Sequence, residues 1–125
     1  MLVEIRVPAP QHSGSAYAKV DRRVGDWAVV AAGASLTIDH GVIARAGVAL
    51  AAAGGDITST DAEAALAGEP PSPELFARAA ALAAAACEPV TDQRGSAEYK
   101  RHVAGVLVER VLERAAARAV QQEEE

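Results

Sequence analysis

Residues 2–7, LVEIRV, alternate strictly: Leu2, Glu4 and Arg6 point one way and Val3, Ile5 and Val7 the other. A period of two is the mark of a half-buried strand, here stopped by Pro8 and Pro10. Beyond the polar stretch 8–15, PAPQHSGS, a second extended piece is expected around Ser15–Val20. Trp27 to Ile38 carries no charge, and near its end Leu36 and Ile38 alternate with Ser35 and Thr37. IDHGV then supplies a glycine-containing hairpin turn, and Val42–Leu50 returns as the next strand. Helix competes for the alanine-rich part of the run, but the β-branched residues and the turn favour strands.

After AAGGDITST the period changes. Thr60 and Glu63 have the spacing of a capping box, which predicts a short helix ending near Gly68. Ser72 followed by Pro73 reads as an N-cap with proline in the first helical position. Leu75, Ala79, Leu82, Ala83 and Ala86 mark one face of that second helix, which Pro89 terminates. A third helix opens near Ser96, with Val103, Val106, Leu107 and Val111 on its buried stripe. Its QQEEE tail places acids where the helix dipole disfavours them, so the end is expected to fray. Strands followed by helices predict an α+β domain: a small antiparallel sheet of three to four strands with three helices packed on one face.

At 125 residues the chain is read as one domain, 1–125. Half of it is apolar, yet alanine dominates, so backbones must approach closely to leave no voids. The formal charge of -5 argues against nucleic acid or an anionic membrane as partner. No apolar run reaches membrane-spanning length without a glycine or a charge. No secretory signal is read at the start, where Glu4 and Arg6 follow Leu2-Val3 at once. The single Cys87 excludes an intramolecular disulfide and reads as a buried structural thiol in a reducing, cytoplasmic setting.

Chemistry-bearing residues are few. His12, His40 and His102 fall in a loop, a turn and a helix, without ligand spacing to one another or to Cys87. Ser96 and His102, six apart on a helix, face different directions and make no nucleophile–base pair. Arg110, Arg114 and Arg118 form a stripe that reads as a solvated face or a subunit contact. Gly54-Gly55 ahead of a helix is the one weak phosphate-loop signal, and a simple loop is the preferred reading. In TDQRGSAEYKRH, Asp92, Arg94, Glu98, Lys100 and Arg101 surround a helix start that Ser96 can cap. The expected result is a charge-assisted network fixing the helix entry, with a subunit contact as the alternative. The other unusual segment is AYAKVDRRVGDWAVV, residues 16–30, which holds two of the four aromatic residues and five charges.

Taken together, EIRVPAP, SAYAKVDRRVGDWAVV, AEAALAGEP and EPVTDQRGSAEYKRHVAGVLVERVLERA resemble one family in order and spacing over nearly the whole chain. It is the C-terminal domain of the FAD-binding medium subunit of carbon monoxide dehydrogenase and xanthine dehydrogenase-type molybdenum hydroxylases. The resemblance implies a small antiparallel sheet with three helices. It also implies FAD as the cofactor of the assembled complex, receiving electrons from iron–sulfur clusters after substrate oxidation at a molybdenum cofactor. Partners implied in the same way are an FAD-cradle domain or chain, a molybdopterin large subunit and an iron–sulfur small subunit. The family's C-terminal domain closes over the flavin ring, and a tyrosine on its first core strand lies near that ring. By position this residue is Tyr17, with Lys19 two residues on and on the same face. Arg22, Arg23 and Asp26 are then expected to fix the turn between strands. The family's glycine-rich FAD cradle lies upstream and is not found in this sequence, so the chain is expected to hold little or no FAD alone and to lack catalytic competence by itself. The alternative is a non-catalytic assembly or binding module that keeps the fold without flavin. Self-association is expected through the uncovered region that bears Tyr17 and part of the LVEIRV edge strand.

Overall fold

The computed structural model describes residues 1–7 and 11–123. Three strands and three helices follow in order: β1 (Ser13–Asp21), β2 (Ala28–Asp39), β3 (Val42–Ala51), α1 (Thr60–Leu66), α2 (Pro73–Ala86) and α3 (Ala97–Glu123). The strands form an antiparallel meander in the order β1-β2-β3. Asp39 pairs with Val42 across the loop His40-Gly41, and both loop residues have positive φ, 51° and 78°. That is the signature of the primed hairpin turns, whose twist matches that of the flanking strands.

Alternation sorts the sheet into two faces. Gly14, Ala16, Ala18 and Val20 of β1 share one face with Val30, Ala32, Ala34 and Leu36 of β2. Against that face lies α3, which packs on β1 and β2; α2 packs on α3, and α1 bridges α2 and β3. Small residues make this packing possible. A side chain on Gly14 would collide with the carbonyl of Ala115 and lie 2.5 Å from the Ala119 nitrogen. The strand backbone therefore approaches the α3 backbone nearly unspaced. Val108, Val111, Leu112 and Ala115 of α3 are fully buried, as are Ala79 and Ala83 of α2.

The architecture is the expected α+β sheet with helices on one face, while four local expectations change. LVEIRV forms no strand: Leu2, Val3, Ile5 and Val7 are all exposed and the segment pairs with nothing among the described residues. Its alternation is real, since Glu4 and Arg6 meet side by side at 2.8 Å, but this fold offers it no neighbouring strand. The proline stop at Pro8 and Pro10 lies outside the described residues. The capping box is absent too. Ser59, not Thr60, precedes α1, its hydroxyl makes no cap bond, and Glu63 accepts from the Val48 amide at 2.9 Å. An outward N–H on the last strand needs an acceptor, and that need takes Glu63 from the helix end.

Ser72 caps α2 as expected, accepting from the Leu75 amide at 3.1 Å ahead of Pro73. Its buried face is rotated, however: Leu75, Phe76, Ala79, Ala80 and Ala83 point inward, while Leu82 and Ala86 are exposed. The helix has two neighbours, α1 and α3, so its apolar face is wider than a single stripe. On α3, Val103, Leu107 and Val111 are buried and Val106 is half-buried. The helix continues to Glu123, through the first three residues of the QQEEE tail whose end is expected to fray, and residues 124–125 lie outside the described residues.

Candidate functional site

The sheet face turned away from the helices is assembled from four cross-strand rows. They are Ser13, Thr37 and Arg45; Ser15, Ser35 and Gly47; Tyr17, Gly33 and Ala49; and Lys19, Ala31 and Ala51. The side chains are small except at Tyr17 and the two cations. The Ser13 and Thr37 hydroxyls hydrogen-bond at 2.9 Å, closing one end of the face. Ser15, Tyr17, Gly33, Ser35, Gly47 and Ala49 line a shallow depression of about 530 Å³. Tyr17 rises from its floor and is 64% exposed. A large aromatic ring on a strand normally finds cover, and this one has none.

Lys19 stands one row further along the same face. Its Nζ lies 3.0 Å from Asp21 Oδ2 and donates to the Asp26 carbonyl at 3.2 Å. The fold thus brings Tyr17 and Lys19 to one face and draws the ammonium group toward the β1–β2 turn. Asp26 is the hub of that turn. Its amide donates to the Arg23 carbonyl at 3.0 Å, and its Oδ1 accepts from the Trp27 amide at 2.7 Å. Arg22 reaches across to the Gln93 carbonyl at 3.3 Å, and Arg94 approaches Asp26 at 3.9 Å. Asp26 fixes the turn as read from the sequence, Arg23 contributes only its backbone carbonyl, and the Arg22 side chain instead docks the turn on the segment before α3.

That segment is the expected charge-assisted network. Lys100 is 4% exposed, with Nζ at 2.9 Å from Asp92 Oδ1 and 2.8 Å from the Val90 carbonyl. The Lys100 hydrogen bond is the first cause holding the Asp92 carboxyl below the usual aspartate range, and the Arg94 amide adds to it. Ser96 caps α3 by accepting from the Tyr99 amide at 3.1 Å. Cys87 is buried, and its thiol faces the Ala83 carbonyl at 3.2 Å. Burial pushes that thiol's pKa up, against a smaller opposing effect of Arg101, so it is a packing group.

The glycine pair at 54–55 is structural. Gly54 has φ of +69° and no room for a Cβ against the Glu88 carbonyl, so it lets the loop touch the end of α2. Arg118 does not belong to a solvated stripe: its Nη1 donates to the Ser15 carbonyl at the edge of β1. Among the described residues no three His, Cys, Asp or Glu side chains are grouped to hold a metal ion. Sequence reasoning missed Gly33, Ser35, Gly47 and Arg45 as members of the open face. Their alternation is visible in the sequence, but the pairing register that gathers them around Tyr17 is not.

The fold is a helix-backed antiparallel sheet with one small-residue face turned away from the helices. The chain belongs to the CO dehydrogenase flavoprotein C-terminal domain family, whose model matches residues 15–115. It is 38% identical over 121 residues to the carbon monoxide dehydrogenase medium chain of Afipia carboxidovorans, covering 95% of this chain and 42% of that one. To the medium chain from Hydrogenophaga pseudoflava it is 40% identical, covering 94% and 42%. Among solved structures, the Hydrogenophaga pseudoflava carbon monoxide dehydrogenase lacking the Mo-pyranopterin moiety of its cofactor superposes with a TM-score of 0.84. Identity there is 36%, with 88% of this chain and 39% of that chain covered. Quinoline 2-oxidoreductase from Pseudomonas putida 86 gives 0.80 at 30% identity, covering 92% and 40%. The chain spans about two fifths of the length of the relatives it matches.

Proposed function

We propose that this domain covers the flavin of a molybdenum hydroxylase of the carbon monoxide dehydrogenase type, with Tyr17 against the ring and Lys19 beside it. The observation that carries the reading is the bare face around Tyr17. A planar three-ring group needs a floor without bulky side chains, and Gly33, Gly47 and Ala49 supply it. FAD, when bound by neighbouring domains, supplies the electron relay between iron–sulfur clusters and an acceptor.

This chain's residues exclude water and set the local potential. Tyr17 contributes an aromatic surface, and a stacked pair is worth about 0.5–1.5 kcal/mol beyond burial. Lys19 is ion-paired with Asp21, so the pair acts on a neighbouring ring through its ammonium dipole and not through a net charge. The charged turn and the buried Lys100 hold that end of the sheet rigid, so the face is formed before anything binds. The FAD-cradle chain, the molybdopterin large subunit and the iron–sulfur small subunit are the partners this role requires, in a cytoplasmic complex.

The experiment is to join the domain to a chain carrying the FAD cradle and measure quenching of flavin emission by iodide. Shielding of the flavin when the domain is present supports the reading, and equal quenching with and without it overturns it. The second reading, an assembly module without flavin, draws on the β1–β2 turn, where Val24 and Trp27 are 104% and 81% exposed on a tightly tied loop. Rigid exposed tryptophans are suited to protein contacts.

A further inference from the structure

A second cleft opens between the β3–α1 connection and the C-terminal end of α2. Its volume is about 290 Å³, near the lower limit for a small-ligand pocket. Leu50, Ser59, Ala83 and Cys87 form its buried floor, and Asp56, Asp61 and Glu88 stand exposed around it. Its walls are fixed before anything enters. The Leu50 amide donates to the Ile57 carbonyl at 2.8 Å and the Ser59 amide to the Val48 carbonyl at 2.9 Å, which ties the connection to β3. On the other side Gly55 lies so close to α2 that a Cβ there would come within 3.1 Å of the Ala86 carbonyl.

Two independent observations say what such a cleft would hold. The first is charge. Three of the lining residues are carboxylates and none is basic. The last turn of α2, where the helix dipole is negative, carries no basic residue either. Arg101 reaches the nearby Cys87 carbonyl at 3.3 Å from α3 and is not part of the lining. The start of α1 opposes this field only weakly, because the helix has seven residues and Asp61 already stands in its first turn. The second observation is Ser59. It is 6% exposed, and its hydroxyl is buried without a hydrogen-bond partner. Buried hydroxyls are ordinarily satisfied, so this one has bonding capacity to spare on the floor of an acidic cleft.

Among the described residues no three acids, histidines or cysteines gather to hold a metal ion, so the carboxylates form an open ring and not a cage. An ammonium group suits a ring: it brings three N–H donors to spaced acceptors, and its alkyl stem can lie on Leu50, Ala83 and Ala86. We propose that this cleft binds a primary alkylammonium group, carried by a free small amine or by a lysine side chain of a polypeptide packed against it. Ser59 accepts from the ammonium group, and Asp56, Asp61 and Glu88 balance its charge. This binding does not rest on the flavin reading.

The test is an NMR titration of the isotope-labelled chain with propylammonium, with N-acetyl-lysine amide and with tetramethylammonium, all at constant ionic strength. Saturating shifts centred on the Ser59 and Ala83 amides are expected from propylammonium, the lysine derivative or both, with a dissociation constant of about 1 mM or tighter. Tetramethylammonium, which has no N–H to donate, should not produce them. Tighter binding of propylammonium assigns the cleft to a free amine, and tighter binding of the lysine derivative assigns it to a lysine side chain. Ser59→Ala removes an unpartnered hydroxyl, so melting should hold while amine binding weakens by about tenfold. Asp61→Asn, at an exposed position, tests the charge separately and should weaken binding by about threefold. Failure of both amines to saturate, equal shifts with tetramethylammonium, or binding indifferent to both substitutions overturns the proposal.

Discussion

Tyr17 of β1 stands directly across from Gly33 of β2, so the most exposed ring of the sheet faces the one position in its row without a side chain. A Cβ on Gly33 would meet only the Ala16 carbonyl at 3.8 Å and Tyr17 Cδ2 at 4.0 Å, which is ordinary contact. Gly33→Ala should therefore fold normally, and removing a strand glycine can even stabilise by about 0.5–1 kcal/mol. Gly33→Trp should raise a wall beside Tyr17 and slow flavin reduction or reoxidation in the assembled complex. Equal melting with altered flavin kinetics is the expected pair of results.

Gly14 should behave in the opposite way. Its Cβ would enter the backbone of α3 at Ala115 and Ala119. Gly14→Ala should lower stability by about 1–3 kcal/mol or more through overpacking, measurable by denaturant titration. The same substitution at two glycines of the same sheet thus gives opposite signs, according to which face each occupies.

The Asp92–Lys100 pair gives a pH prediction. A carboxyl whose folded pKa is depressed contributes stability that is fully present above its unfolded value and is lost as pH falls through its folded value. Asp92→Asn should lower the melting temperature at neutral pH. The gap to the unmodified chain should close as pH drops below the ordinary aspartate pKa, about 3.9. Lys100→Met, which leaves the Val90 carbonyl without its buried donor, should cost about 1.5–3 kcal/mol. Melting curves across the acid range check both.

Much of the fold was legible. The charge-free run from Trp27 to Ile38, the Asp39–Val42 turn and the Ser72-Pro73 helix start follow from local chemistry alone. Where reading failed, a distant partner decided the outcome. LVEIRV has strand periodicity but no neighbour among the described residues, Glu63 serves β3 instead of its own helix, and α2 turned its face to suit two helices. The site was legible in part. Tyr17 and Lys19 lie on one face because alternation dictates it, whereas Gly33, Gly47 and Arg45 join them only through the register of three strands.

The chain alone should purify without flavin colour. One stacking contact of about 0.5–1.5 kcal/mol falls well short of the roughly 8 kcal/mol that micromolar binding requires. Titrating FAD against Trp27 and tyrosine emission should give millimolar binding at best. A micromolar dissociation constant would point to a second site and contradict the division of labour proposed here.

The most direct measurement compares Tyr17→Ala with Leu107→Ala in the domain joined to a chain carrying the FAD cradle, following both melting and flavin kinetics. Leu107 is 4% exposed on α3, and its truncation should cost about 2–5 kcal/mol. Tyr17 faces outward, so its truncation should change stability by no more than about 0.5 kcal/mol while altering flavin reduction or reoxidation. If Tyr17→Ala destabilises the fold as much as Leu107→Ala and leaves flavin kinetics untouched, the ring is a packing residue and the covering role assigned to this face is wrong.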